Sequence, residues 1–217
     1  MTYDDMLKKL VDREPFSFSR WGDGELSCVM GAEGENCDSH QYFPDLGERL
    51  ADILHEPQRY YMGLQPKAVR DMGFDLSMYF NEEGIDIDWI NADLIHDAST
   101  EIGLEGMFLA CKGKTLVVGP RHLRPLCEKY NMPHIGTPER NCWKAYEYIK
   151  GRIIDTGIDN IMFCCGMMAG VLIDDLWYLK PGATLIDVGS ALDPYSSGVI
   201  SRKYHTKIIA RLDKEKK

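Results

Sequence analysis

Apolar positions along this chain switch repeatedly between a helical period and short unbroken runs. Met6, Leu10 and Val11 predict an opening helix over residues 3–12. Phe16 to Arg20 reads as a short strand after Pro15, and the glycines at 22 and 24 end it. Leu26, Val29 and Met30 then return at helical spacing, which puts Asp23 and Glu25 on a strand-to-helix turn. Residues 31–44 have no period and read as a loop. Asp45 is placed to cap a helix carrying Leu46, Leu50, Ile53 and Leu54, and Arg59 to Leu64 reads as a second strand.

Residues 66–111 read as mostly helical, with Trp89, Ile90, Leu94 and Ile95 as one apolar face. Lys114 to Val118 is the clearest buried strand; Gly119 ends it and Pro120 suits the start of the next helix, whose inward face is Leu123, Leu126, Cys127 and Tyr130. A short strand passes through His134 and Ile135. Trp143, Tyr146, Ile149 and Ile153 mark an amphipathic helix that stops near Gly157. Asn160 to Cys165 and Ala183 to Val188 are strands, with a helix through Val171, Leu172, Leu176 and Leu179 between them. Residues 189–203 read as loop, and Lys207 to Ala210 as a final edge strand.

Strands alternating with helices of about 10–15 residues imply βαβ crossovers and a largely parallel α/β sheet flanked by helices, Rossmann-like in architecture. Ligands on such sheets bind beyond the carboxyl ends of the strands. That rule selects four loops: 20–25, 119–122, 165–168 and 187–193.

Composition narrows the function. An apolar fraction of 44% and a charged fraction of 27% over 217 residues suit one folded core, read here as one domain over 1–217. The net charge of −9 argues against a general nucleic-acid binder, whose affinity rests on Lys and Arg neutralising phosphates. Positive charge does gather at Arg202, Lys203, Lys207, Arg211, Lys214, Lys216 and Lys217, which reads as a solvated tail. The seven cysteines include no CxxC pair, so they read as buried thiols of a reducing compartment rather than as zinc ligands. A charged N-terminus without an apolar segment, and no run of about 18 apolar residues, predict a cytoplasmic protein without a membrane span.

The four loops carry the candidate chemistry. Asp23 and Glu25 are hard oxygen donors two positions apart, suited to Mg²⁺ or Mn²⁺ shared with substrate phosphates, and Arg20 is placed to pair with a diphosphate. The alternative is that Asp23 caps the helix and Glu25 favours its positive end. Gly119-Pro120-Arg121-His122 would offer a helix start and positive charge to a phosphate, or be an ordinary turn. Gly166 and Met167 would approach a base or ribose, or belong to the core. Asp187 and Asp193 are candidate general bases for an acceptor hydroxyl, or turn residues. No HExxH, GxSxG, Walker loop or GxGxxG is present.

From FSFSRWGDGE onward the chain resembles the GT-D-type glycosyltransferases, bacterial enzymes with a Rossmann-like sheet and an Asp-x-Glu metal motif. TLVVGP, PERNCWKAY with Asn141 and Trp143, IMFCCGMMAGVLIDDL and LIDVG follow in the order of that family, so the resemblance spans most of residues 14–193. It implies that Asp23 and Glu25 hold Mn²⁺ or Mg²⁺ on the diphosphate of a nucleotide-sugar, a UDP-sugar by resemblance. Arg20, Gly22 and Gly24 would shape that pocket, with Gly119, Arg121, Asn141, Gly166 and Met167 on the donor side. Two departures mark this chain: Cys165-Gly166-Met167 where the family often has Gly-Pro, and Ser190 where it often has His after the Asp-x-Gly strand end.

The implied reaction is displacement at the anomeric carbon by a hydroxyl acceptor, with Asp187 or Asp193 as base. The acceptor is unspecified: a glycan, a glycoprotein, a lipid-linked sugar or a modified base in DNA. A nucleotide-dependent methyltransferase and a non-catalytic nucleotide-sugar-binding module are the alternatives. A homodimer is compatible with the sequence, and no feature of it argues for one.

Overall fold

The computed structural model describes residues 1–56, 58–196 and 199–215. Lys216 and Lys217 of the basic tail lie outside the described residues.

Helix α1 (Tyr3–Asp12) opens on a capping box. The Asp5 N–H donates to Thr2 Oγ1 at 3.2 Å and the Thr2 N–H to Asp5 Oδ2 at 2.8 Å, which satisfies two end donors reciprocally. Met6 and Leu10 are buried as expected, but Val11 is 60% exposed: five residues from Met6, it falls off the inward stripe.

Seven strands form one parallel sheet in the order β3-β2-β1-β7-β6-β4-β5. They are β1 (Ser17–Trp21), β2 (Tyr61–Leu64), β3 (Ile90–Asn91), β4 (Thr115–Pro120), β5 (His134–Thr137), β6 (Asn160–Phe163) and β7 (Thr184–Asp187). Helices α2 (Asp23–Val29), α3 (Pro44–His55), α4 (Pro66–Glu83), α8 (Tyr146–Asp155) and α9 (Met168–Leu179) belong with one face. Helices α1, α5 (Leu94–Glu101), α6 (Glu105–Cys111) and α7 (Arg124–Lys129) belong with the other. The α/β, Rossmann-like expectation is borne out, and every strand pairing described is parallel.

Alternation along each strand feeds two cores. Phe18, Val117, Met162 and Ile186 face α1, α5, α6 and α7. Trp21, Leu116, Val118, Phe163 and Leu185 face the opposite core. Residues 168–174 of α9 are all buried, so this helix is enclosed on nearly every side, with contacts to β1, β7, α3 and α8. Its acid Asp174 is buried, where it pairs with Arg59 and accepts from the Tyr60 hydroxyl at 3.3 Å.

Several expected elements differ. Residues 205–215 form helix α11 (His205–Glu215) where the pattern predicted an edge strand over Lys207 to Ala210. A three-residue apolar run, Ile208 to Ala210, fits either period; Ile208 is fully buried, and α11 packs on α5 and α10 (Asp193–Ser196). Within the expected loop 189–203, α10 is a short helix. The two-residue β3 was hidden inside the expected helical stretch, since two residues cannot display a period. Trp89, before β3, stacks on Phe80 at 5.8 Å between ring centroids and meets Trp21 edge-on at 6.2 Å. Pro44, not a capping Asp45, starts α3, with Phe43 at its cap position. Pro120 closes β4 and leads into a 3₁₀ turn (Arg121–Leu123), while Pro125 sits in the first turn of α7.

No described helix is long and apolar enough to cross a membrane. If α11 is a packed helix, Ile208→Ala should cost about 2–4 kcal/mol of stability, read as a shifted urea midpoint. A solvated strand at that position would lose far less.

Candidate active site at the carboxyl edge

The loops that leave β1 and β7 part to opposite faces of the sheet, β1 into α2 on one face and β7 into Ala191, Leu192 and Tyr195 on the other. From β1 the chain winds outward through β2 and β3, and β7 ends the other half beside β1. In parallel sheets this crevice is where ligands bind. Register sets its depth: Phe18 is level with Ile186, and Phe163 with Asp187, so Arg20 reaches just past the end of β7.

Arg20 shares the face of Phe18 and turns toward α5. Its Nε donates to the Ala92 carbonyl at 2.9 Å and its Nη2 to His96 Nδ1 at 3.0 Å; Asp93 Oδ1 lies 3.7 Å away. Asp187 is buried at the end of β7 and accepts from the backbone N–H of Gly189 at 2.9 Å. Burial pushes its carboxyl up to about 6, with the Arg20 charge and the N–H groups of Gly189 and Arg20 opposing that rise. Gly189 has φ +53, and a Cβ there would stand 2.1 Å from Arg20 Nη1. The guanidinium lies directly against this turn, so only glycine leaves it room.

Glu25 is the third residue of α2. Its Oε2 accepts the Gly22 N–H at 2.9 Å, so Glu25 takes the capping role that the sequence offered to Asp23. Burial of its carboxylate raises it to about 7; the neighbouring Asp187 adds to the rise, while the Gly22 N–H and Arg20 oppose it. Glu25 as a whole residue is half-buried. Asp23 differs: half exposed, it accepts from Lys67 Nζ at 3.0 Å, and Lys67 is shared with Asp71 at the same distance.

The remaining predicted residues separate into those drawn to this edge and those left outside it. Gly22 caps α2 beside Gln65. Gly24 is buried against Asn36 and Met167, so the loops after β1 and β6 do meet. Gly166, φ +60, lies under the His40 ring. Asn141, φ +54, accepts the Gln41 N–H at 2.8 Å. Residues 36–41 thus form a strap across the edge, and Asp38 pairs with Arg202 to tie it to the C-terminal segment. Gly119 serves packing: a Cβ would meet Cys164 Cβ at 2.7 Å and Leu123 at 2.9 Å. Arg121 is exposed on the 3₁₀ turn, not at an α-helix start. Asp193 is buried with both oxygens engaged, by His122 Nε2 at 2.8 Å and Ser201 Oγ at 2.6 Å. Ser190 shares a hydrogen bond with Tyr204 at 3.0 Å.

Sequence reasoning missed Asp93, His96, His40, Lys67 and Tyr204. Arg20 and His96 stand 76 residues apart, and no motif or period links them. Arg202 was read as part of a solvated tail, but it is an anchor of the strap, and Arg211 donates to the Tyr195 hydroxyl at 2.6 Å.

The expected metal pair, Asp23 and Glu25, stands at the start of α2, with Asp23 half exposed and Glu25 half-buried. Among the described residues no group of three or more His, Cys, Asp or Glu converges on one point. A cation at this edge would therefore complete its shell with substrate oxygens, the habit of Mg²⁺ and Mn²⁺. A roomier cavity of about 390 Å³ lies elsewhere, among α6, α7, α10 and α11, lined by Phe108, Tyr130, Tyr195 and Leu212. Size alone does not make it the reaction site; the carboxylates and the switch crevice are at the other place.

No protein-family model and no curated protein sequence matches the chain. Solved structures do. A protein described as a new glycosyltransferase (DUF1792) from Streptococcus sanguinis superposes with a TM-score of 0.67 at 20% identity, over 94% of this chain and 86% of that one. The domain of unknown function 1792, described as having a distinct glycosyltransferase fold, gives 0.63 at 19% identity, over 92% and 82%. The fold of this chain is therefore the DUF1792 glycosyltransferase fold, and the resemblance drawn from RWGDGE and the ordered segments holds at the level of fold.

Asp187 supplies a pH test. Its folded carboxyl is raised above the unfolded value of 3.8 to about 6, so the folded state binds more protons across that interval and stability falls as pH rises through it. Asp187→Asn should flatten the melting temperature between about pH 4 and 6. An unchanged slope would mean that Asp187 is solvated. Gly189→Ala should displace the Arg20 guanidinium and destabilise the protein by about 1–3 kcal/mol, measured by chemical unfolding.

Proposed function

We propose that this protein is a metal-dependent glycosyltransferase that moves a sugar from a nucleotide-sugar, a UDP-sugar in the first instance, to an acceptor hydroxyl. The observation that carries this reading is the meeting of Arg20, Glu25 and Asp187 at the switch crevice of a sheet with the glycosyltransferase fold.

Asp23 and Glu25 are the residues that would hold Mn²⁺ or Mg²⁺. Asp23 is free to do so at small cost, because its pair with Lys67 is exposed and Lys67 keeps Asp71. The bound ion would supply Lewis-acid stabilisation of the departing diphosphate. Arg20 adds a fixed positive charge on the same side, oriented before substrate arrives. Gly24, Gly166 and Met167 line the edge where the loops after β1 and β6 meet, beneath the strap, as the place for the nucleoside.

Of the two acids expected as bases, Asp187 is the better placed. Its carboxyl near 6 is matched to proton abstraction close to neutral pH, whereas Asp193 has both oxygens occupied by His122 and Ser201. Asp193 then serves to hold His122 and the C-terminal segment in place.

The test is a panel of UDP- and other nucleotide-sugars with and without Mn²⁺, reading released nucleotide. Asp23→Ala and Glu25→Ala should each lower metal-stimulated release at least about a hundredfold with far-UV spectra near wild type, melting unchanged for Asp23→Ala and lowered slightly for Glu25→Ala, which loses the cap on Gly22. Full activity in both variants would overturn the metal assignment. Binding of UDP without release from any sugar would make the protein a nucleotide-sugar-binding module.

A further inference from the structure

We infer that His96 is the positioning residue of Arg20, a neutral imidazole held in the Nε2–H tautomer whose Nδ1 lone pair fixes the guanidinium at the switch crevice. The inference rests on the reading that Arg20 serves the diphosphate of the donor.

Two neighbours compete for His96 Nδ1. Arg20 Nη2 lies 3.0 Å away and Asp93 Oδ1 3.4 Å away. A guanidinium has donors only and keeps its charge at all working pH, so the shorter contact requires a lone pair on Nδ1. The Asp93 contact would require a proton there, and both cannot hold at once. Asp93 has other partners, Gln65 Nε2 at 3.3 Å and Arg20 itself at 3.7 Å. A neutral ring with a bare Nδ1 carries its proton on Nε2. That atom is buried and has no hydrogen-bond partner among the described residues.

An orphaned buried N–H is costly. The charge-assisted contact of Nδ1 with the Arg20 guanidinium at 3.0 Å offsets that cost. Groups around the ring keep it neutral. Arg20 approaches from β1, Asp93 from the start of α5, and Tyr204 and His205 from the C-terminal segment, with the Tyr204 ring 5.1 Å from that of His96. Burial, then the Arg20 charge, lower the imidazole to about 4, with Asp93 opposing. Protonation would set an N–H against the guanidinium, so the arrangement holds above about pH 4 and fails below it.

The consequence for Arg20 is geometric. With Nε on Ala92 and Nη2 on His96, the Nη1 arm is the one turned to the Gly189 turn beyond β7. An arginine fixed at two of three nitrogens meets a phosphate with little rotamer entropy left to lose.

Two measurements decide this. In ¹⁵N-labelled wild type between pH 5.5 and 8, the His96 ring should show Nδ1 unprotonated and Nε2 protonated. A protonated Nδ1 would overturn the inference. In titrations with UDP and Mn²⁺, His96→Leu should raise the dissociation constant about tenfold, having lost the acceptor. His96→Asn offers a carbonyl near the place of Nδ1 and should stay within about threefold. Thermal melting identifies any variant that is unfolded; His96→Asn and the wild-type spectra still decide if His96→Leu is. Equal UDP affinity in wild type and a folded His96→Leu would show that His96 does not position Arg20 for the donor. Failure of wild type to bind any nucleoside diphosphate would sink the donor reading instead, and the ring spectra would still report whether His96 holds Arg20.

Discussion

A guanidinium sunk into the crevice between β1 and β7 is what the rest of the site is arranged around. Two acids, Glu25 and Asp187, stand at the same edge, and burial raises the carboxyl of each. Arg20 opposes that tendency for each of them. It is in turn held from the opposite side by Ala92, Asp93 and His96. A buried charge without such partners would be expensive. The Arg20 cluster thus ties β1 and β7 to the start of α5 while keeping two carboxylates poised between their charge states.

The sheet explains why this cluster exists at one place. Because every strand runs parallel, all the loops that leave the carboxyl ends share one edge. The order of the strands brings the RWGDGE turn beside the LIDVG turn, although about 165 residues separate them in sequence. The strap over 36–41 and the C-terminal segment then close over the edge. Arg202 joins them through Asp38, Ser201 joins Asp193, and Tyr204 covers His96. A tail that looked merely basic is part of the architecture of the site.

The cap role and the metal role of the GDGE turn were rivals in the sequence, and the structure gives them different residues to weigh. Glu25 does cap α2 through the Gly22 N–H, but only one of its oxygens is used there. Asp23 does not cap; it reaches outward to Lys67. A turn that satisfies its own helix end with one acid and leaves another half exposed is compatible with both local folding and a shared cation. Gly119 shows the opposite outcome. It was drawn toward a phosphate-binding role by its position after a buried strand, and its lack of a side chain serves close packing on Cys164.

Local chemistry was enough to determine most of the elements. Unbroken apolar runs marked β4, β6 and β7, helical spacing marked α1, α8 and α9, and their alternation dictated a parallel sheet with its ligand edge at the loops of 20–25 and 187–193. These are short-range properties, set by side-chain period and by glycine and proline at turns. Where a segment was too short to show a period, at β3 and over Lys207 to Ala210, the sequence was silent or pointed the wrong way. The tertiary contacts decided the matter, by pairing Ile90 with Gly63 and by burying Ile208. The same limit applies to the site. The sequence named Arg20, Glu25 and Asp187 because they sit at strand ends, but His96, Asp93 and Tyr204 come from elements with no motif of their own. Their roles depend on distance and desolvation, and those exist only once the chain has folded.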